Sequence, residues 1–305
     1  MQESVMLYHW WWNHPPDCVI NNWNSPIIFA ICSFRHYNPF TPIHVLDVSE
    51  VDHNWQDFPK KFNFVLHRRR GFPHKFPMLQ KAVYGLMPQR IRYDKRIDAA
   101  WKIFDLEELV KELPQSKVIF SDSDIFFLKP LTCEYNQQFC CNANTGFFYY
   151  QRSSLMDRFF ALWKNHTLMH IVGNDLIGAD ILGRTNYDKA DPNEEIVFQY
   201  LLSEYPQFVA PLRQHYVYCF DGQKYGFDPF GSESEFIHFA GFHVPRGNRL
   251  IPFIVFREYR EILNSYVDLN SYLAQMVIEP RTSLSVYDPH RSLAHVRMTK
   301  QVRLY

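Results

Sequence analysis

The chain has 305 residues, of which 47% are hydrophobic and 21% charged. That is long enough to bury a large core and too apolar for a disordered chain. Basic and acidic residues balance at 32 each, so bulk charge makes no case for nucleic acid or an anionic membrane as a partner.

In chain order, Val5–Tyr8 reads as a first strand. The segment His9-Trp10-Trp11-Trp12-Asn13 follows, and three consecutive Trp cannot all face a core. Ser25-Pro26 opens a helix over Ile27–Tyr37, with proline in the first turn, and Asn38-Pro39 stops it. Pro42–Val48 is a second strand with Asp47 near its end, and Phe62–Leu66 a third. The loop His67-Arg68-Arg69-Arg70-Gly71 comes next. Residues 75–87 and 98–112 read as helices, the second with apolar residues at helical spacing and a stop at Pro114. Later come strands at Gly146–Tyr150, Val217–Phe220 and Phe236–Phe239. Helices are expected at Ser153–Trp163, Glu194–Tyr205 and Ile254–Ile278, an irregular stretch over 166–192, and a basic tail over 281–305. Strands that alternate with helices predict an α/β fold, with a mixed, mostly parallel central sheet flanked by helices. Ligands in such sheets bind at the carboxyl ends of the strands, where Asp47, Asp122 and Asp124 fall.

The most informative stretch is Val118-Ile-Phe-Ser-Asp-Ser-Asp-Ile-Phe-Phe-Leu-Lys-Pro-Leu131. An apolar run drives into Asp122-Ser123-Asp124, and a second apolar run follows at once. Carboxylates beside a buried strand are costly unless paired, hydrogen-bonded or bound to a cation. Two of them at i and i+2 share a face if the strand continues, and converge on one ion if the chain turns. Hard oxygen ligands suit Mg²⁺ or Mn²⁺, with phosphate oxygens completing the shell. The competing reading is a solvated turn or a helix cap.

The six cysteines form no Cys-x-x-Cys pair and read mostly as buried thiols of a reducing compartment. The N-terminus has neither a basic n-region nor an apolar h-region, and no window reaches the roughly 18 apolar residues of a membrane span. These features lead us to expect a cytoplasmic protein, bacterial or viral in origin, with no transmembrane segment. Aromatics reach 17%, which serves either a core rich in rings or stacking platforms for a base and sugars.

Several of these segments, taken in order, resemble the GT-A glycosyltransferases of the glycogenin and lipopolysaccharide galactosyltransferase type. Trp101-Lys102-Ile103-Phe104 through Leu131 resembles the helix and Asp-x-Asp strand of that family. Asn144-Thr145-Gly146-Phe147-Phe148 resembles its Asn-x-Gly strand under the donor sugar. Asn193-Glu194-Glu195-Ile196-Val197-Phe198 resembles its acidic helix start beside the acceptor. Ile237-His238-Phe239-Ala240-Gly241 resembles its late His-x-x-Gly. The resemblance spans residues 5–245.

The resemblance implies a Rossmann-like GT-A sheet over residues 1–250, with a helical segment and tail over 251–305 packed on it. It implies transfer of a hexose or pentose from a nucleoside-diphosphate sugar to a hydroxyl of a carbohydrate or glycoconjugate acceptor. Asp122, Asp124 and His238 would hold the metal, and an imidazole beside two carboxylates favours Mn²⁺ over Mg²⁺. For His238 the competing reading is a histidine packed at a strand end. Lys102 stands where the family has a donor-binding arginine, or else is a solvated helix cation paired with Asp105. Asn144 with Gly146 would face the sugar, or else close a turn. Asp47 is a turn cap or a contact to base or ribose. Gly241 belongs to the late motif. Where the family has Lys-Pro this chain has Val244-Pro245, so the diphosphate cation falls to Arg246 or Arg249. Glu194, Glu195 and the rival Asp180 are candidates for the group that deprotonates the acceptor or steadies the sugar's developing charge. For the glutamates, the helix dipole alone accounts for acidic residues in a first turn. A nucleotidyltransferase on a similar sheet is the alternative enzyme, and a non-catalytic glycan- or nucleotide-binding protein the alternative class.

Overall fold

The architecture grows outward from β1 (Ser4–Trp10). Val5, Met6, Leu7 and Tyr8 are closed to water on both faces of the sheet, as an inner parallel strand requires. Burial of each such side chain contributes about 1.5–3 kcal/mol. In the computed structural model, residues 3–11, 26–50, 52–55, 57–72, 74–86, 100–127, 129–131, 139–141, 145–171, 194–205, 210–211, 215–219 and 235–240 are described.

Six further strands join β1: β2 (Ile43–Asp47), β3 (Phe64–Arg68), β4 (Lys117–Ser121), β6 (Phe139–Cys141), β7 (Phe147–Gln151) and β8 (Ala210–Pro211). The order is β3-β2-β1-β4-β7-β6-β8. β3, β2, β1 and β4 run parallel, and β7 alone runs against its neighbours. This is the expected mixed, mostly parallel sheet. A second sheet contains β5 (Ile125–Phe127), β10 (Phe236–Ala240) and β9 (His215–Cys219), in that order.

Helices cover both faces. Residues alternate across a strand, so Leu7 and Tyr8 look opposite ways. Leu7 packs with α4 (Lys102–Glu112), α5 (Ser154–Ile171) and α6 (Glu194–Glu204) through Leu106, Leu109, Phe159, Trp163 and Phe198. Tyr8 donates its hydroxyl hydrogen to Ala30 O at 3.3 Å in α1 (Pro26–Tyr37) on the other face. α4 buries Ile103, Leu106, Leu109 and Val110 and leaves Glu107, Glu108, Lys111 and Glu112 outward. It ends where Leu113, with φ −90° and ψ 140°, meets Pro114, because the residue before proline avoids helical geometry.

The two sheets meet through rings: Phe147 lies 4.3 Å from Phe236 and 6.3 Å from Phe127 between centroids, while Phe34 of α1 lies 4.9 Å from Phe127. For these residues the aromatic richness is core. Ser33 Oγ also accepts from Phe127 N at 3.2 Å, and so ties β5 to α1.

Arg35, buried near the end of α1, is a staple. Its guanidinium donates to Phe62 O, Asn38 O, Pro39 O, Thr41 O and Asn63 O at 2.7–3.3 Å. Three of the carbonyls share the two N–H groups of Nη1, and the helix end, the turn before β2 and the turn before β3 are fixed together. That last turn departs from expectation. A short helix, α2 (Phe58–Lys61), precedes it, and Asn63 adopts φ 49°, a left-handed geometry that Asn tolerates better than most residues. The third strand therefore starts at Phe64, and His67 and Arg68 belong to it and not to a loop.

Two other expectations are corrected. α5 runs to Ile171 and not to Trp163, because Thr167 and Ile171 continue the buried stripe of Phe160 and Trp163. Residues 166–171 are thus helical. Strands β6 and β8 have no counterpart in the sequence pattern, being only three and two residues long. α3 (Pro77–Leu86) lies within the expected 75–87. Cys32 is a buried free thiol whose pKa burial pushes up. Among the described residues no helix is long and apolar enough to cross a membrane. The expected segment 251–305 lies outside the described residues.

On the outer strands, His44 and His67 join ring to ring, with Nδ1 of the first 2.9 Å from Nε2 of the second. Burial, then the neighbouring His67, lowers the His44 pKa to about 4, and burial lowers that of His67. Both rings fold neutral, so the unfolded chain binds more protons between about pH 6.5 and pH 4. Stability should fall as pH drops through that window. With solvent screening of half-exposed rings, the difference between wild type and His44→Gln should be about 1 kcal/mol. Urea unfolding from pH 7.5 to 4.5 reads it; parallel curves for the two proteins would refute it.

Candidate functional site

The carboxyl end of β4 carries the Asp122-Ser123-Asp124 turn. Here the chain leaves the main sheet and enters β5 of the second one. The strand does not continue, so of the two backbone courses left open by the sequence the chain takes the turn. Asp122 N donates to Gly146 O at 2.6 Å, which pins the turn to the segment that starts β7. Asp124 is 4% exposed and the Asp122 side chain 33%. One carboxylate thus sits inside and its partner at the rim.

Lys102, in the first turn of α4, lies beneath this turn. It is 4% exposed, so a solvated helix cation is not what it is. Nor does it pair with Asp105. Its Nζ donates to Asp122 Oδ1 at 3.3 Å, Thr145 Oγ1 at 3.2 Å and Thr145 O at 3.4 Å. The ammonium lies 5.2 Å from the Phe120 ring centroid, where cation–π attraction adds to its pairing. These acceptors offset the cost of burying the charge.

One helical turn on, Asp105 is 6% exposed and faces His9, 5% exposed, at the carboxyl end of β1. His9 Nε2 lies 3.1 Å from Asp105 Oδ2 and donates to it, while Asp105 Oδ1 accepts from Phe72 N at 2.7 Å. A Cβ on Gly71 would lie 3.1 Å from Val48 Cβ and 3.5 Å from Asp105 Oδ2, so glycine lets this loop close over the pair. Sequence reasoning missed His9, Asp105 and Thr145. The one signal was an acidic residue on the same helical face as Leu109.

The second sheet brings in the late histidine. β10 runs antiparallel to β5 with His238 opposite Ile125, Ile237 opposite Phe126 and Phe236 opposite Phe127. His238 thus stands in register with Ile125, the residue next to Asp124, although 113 positions separate the paired residues in sequence. Its side chain is outside the described residues, and among those that are described no group of three His, Cys, Asp or Glu forms a metal cluster.

Asp47 ends β2, on the far side of β1 from the turn. It is buried, with Oδ1 accepting from Ser49 N at 3.0 Å and Oδ2 from Trp55 Nε1 at 2.8 Å. That is a turn cap; a base or ribose hydroxyl would have to share these oxygens. Of the tryptophans, Trp10 is buried and Trp11 half-buried. At the end of β3, Arg68 pairs with Asp52, and Arg69 with Glu112. Glu194 and Glu195 open α6, which Phe198 docks on Trp163 of α5 at 4.6 Å between ring centroids. The side chains of both glutamates are outside the described residues, as are Asn144, Asp180, Gly241 and Arg246 altogether.

No family model matches this chain, and no curated protein matches it. Solved structures do. The galactosyltransferase LgtC, in complex with donor and acceptor sugar analogs, overlaps 86% of this chain and 96% of its own at 11% identity and a TM-score of 0.45. The apo form of mouse xyloside xylosyltransferase 1 overlaps 79% and 99% at 9% identity and a TM-score of 0.46. An active-site mutant of LgtC overlaps 86% and 95% at 11% identity and a TM-score of 0.42. These are likenesses of overall fold, and the site stands on its own residues.

The Lys102 contacts carry a direct test. Lys102→Ala should lower stability by about 2–3 kcal/mol, since it strips Thr145 of a donor and Asp122 of its counter-charge; water at the rim keeps the loss below that of a fully buried pair. Lys111→Ala, at a residue 66% exposed whose Nζ is 3.4 Å from Glu107, should cost about 0.5 kcal/mol or less. Equal small losses in urea unfolding would refute the placement of Lys102.

Proposed function

We propose that this protein is a divalent-metal-dependent glycosyltransferase that uses a nucleoside-diphosphate sugar, with the Asp122–Asp124 turn as its metal and diphosphate site. The observation that carries the reading is the β5–β10 register. It pairs His238 with Ile125, the residue after Asp124, in a strand that follows the turn at the carboxyl end of β4, and this supports the reading. Between β1 and β4 the strand order of the sheet reverses, and open α/β sheets bind ligands at such a point. Two carboxylates and an imidazole form an oxygen-rich donor set with one borderline nitrogen, which fits Mn²⁺ ahead of Mg²⁺.

In this reading Asp122, Asp124 and His238 would hold the ion, which when bound supplies positive charge to a departing nucleoside diphosphate. Lys102 keeps Asp122 oriented from below, so its tie to the donor runs through that carboxylate. Asn144 and Gly146 would support the sugar, with Gly241 and Arg246 completing the diphosphate side. Asp47 is kept only as a candidate contact to base or ribose. Glu194, Glu195 or Asp180 would serve the acceptor hydroxyl, as base or as charge partner. The acceptor is a carbohydrate or glycoconjugate.

Calorimetric titration with Mn²⁺ and a nucleoside diphosphate tests the site. Asp124→Asn should abolish metal-dependent nucleotide binding without unfolding the protein, and a chelator should have the same effect on the wild type. Undiminished binding by Asp124→Asn in the presence of Mn²⁺ would sink the metal assignment. A screen of nucleotide sugars for slow Mn²⁺-dependent hydrolysis then identifies the donor. For the acceptor side, Glu194→Gln or Glu195→Gln should cut transfer on the order of 10²–10⁴-fold with donor binding kept. If both retain wild-type turnover, the helix dipole accounts for them and Asp180 is next.

A further inference from the structure

We infer that His9 and Asp105 are positioning residues for the metal turn: a buried clamp that sets the first turn of α4 so that Lys102 stands beneath Asp122. The inference rests on the reading of that turn as a metal site. Lys102 and Asp105 are three residues apart on one helix, which puts them on one face. Asp105 is held from two sides, by His9 Nε2 at 3.1 Å from the end of β1 and by Phe72 N at 2.7 Å from the loop after β3. Lys102 reaches Asp122 at 3.3 Å and Thr145 Oγ1 at 3.2 Å. The helix start is not fixed by its own cap, since Trp101 makes no side-chain capping bond there. Rotation or slippage of this turn would carry Lys102 away from Asp122, so the clamp controls how the carboxylate is presented. Groups that orient a metal ligand from behind change metal affinity when removed, typically by about 10–100-fold.

His9→Phe is a clean probe. It keeps a ring in the strand and deletes one hydrogen bond, because His9 Nδ1 has no hydrogen-bond partner among the described residues. Two measurements decide the matter. In Mn²⁺ titration, His9→Phe should weaken binding about tenfold in the wild-type background. In a Lys102→Met background it should change binding less than about twofold, since the clamp acts through Lys102. In amine-reactive labelling read by mass spectrometry, Lys102 should be protected in the wild type and should label faster in His9→Phe, while exposed Lys111 labels alike in both. His9→Gln, whose amide can still donate to Asp105, should restore both readouts, and His9→Leu, which like Phe has no donor, substitutes for the Phe variant if that one fails to fold.

A lower melting temperature with unchanged Mn²⁺ affinity and unchanged Lys102 protection would make the pair merely structural and overturn the inference. Equal weakening in both backgrounds would overturn it as well, as would a Gln variant that loses Mn²⁺ affinity with a protected Lys102. A wild type that binds no Mn²⁺ refutes the metal reading and the affinity half of this inference with it. The labelling arm still decides, without metal, whether the clamp places Lys102.

Discussion

Parallel pairing of β1 with β2 on one side and β4 on the other is the constraint from which the rest follows. β1 offers no edge and no wet face, so its position is fixed by two hydrogen-bonded ladders and by cores above and below. The register Tyr8 to Ser121 brings the next residues, His9 and Asp122, to the same level at the carboxyl edge. Both ladders run the same way, so the chain exits β2, β1 and β4 on that side. Polar side chains that a buried sheet cannot hold are gathered there, where the order of strands reverses.

A single helix then links these exits. The first turn of α4 supplies an ammonium to the end of β4 and a carboxylate to the end of β1. Each charge is buried, and each is offset by a partner on a different strand. Charges buried in this way stabilise little in net terms but penalise any arrangement that separates the partners. The pairs therefore act on specificity: an α4 shifted by one residue would bury Lys102 and Asp105 without them. The apolar face of Leu106 and Leu109 supplies the stabilisation, and the two polar contacts select the register.

Much of this was legible. The Asp-x-Asp turn stood out because apolar runs flank it on both sides, and the α/β order followed from strands and helices in alternation. That the second run, Ile125–Phe127, leaves the main sheet was not legible, since periodicity is blind to which neighbour a short strand finds. For Lys102 two readings stayed open, a solvated helix cation and a donor contact, because sequence cannot show which way a long side chain turns. His9 and Asp105 are 96 positions apart, and nothing local joins them. The strand shift at Phe64 came from a left-handed Asn63, a conformation that propensity treats as rare. Short strands such as β8 have too few residues to carry a pattern at all.

The choice of lysine at position 102 has its own logic. An arginine presents a planar fork suited to reaching a carboxylate or phosphate side-on, whereas a lysine ends in a compact charge with three N–H groups. At this place three oxygens converge on one point: one from Asp122 and two from Thr145. The ammonium below the turn pairs with Asp122 and leaves that side chain 33% exposed at the rim. A carboxylate held from inside is ordered before any ligand reaches it, and pre-organisation of that kind lowers the cost of binding.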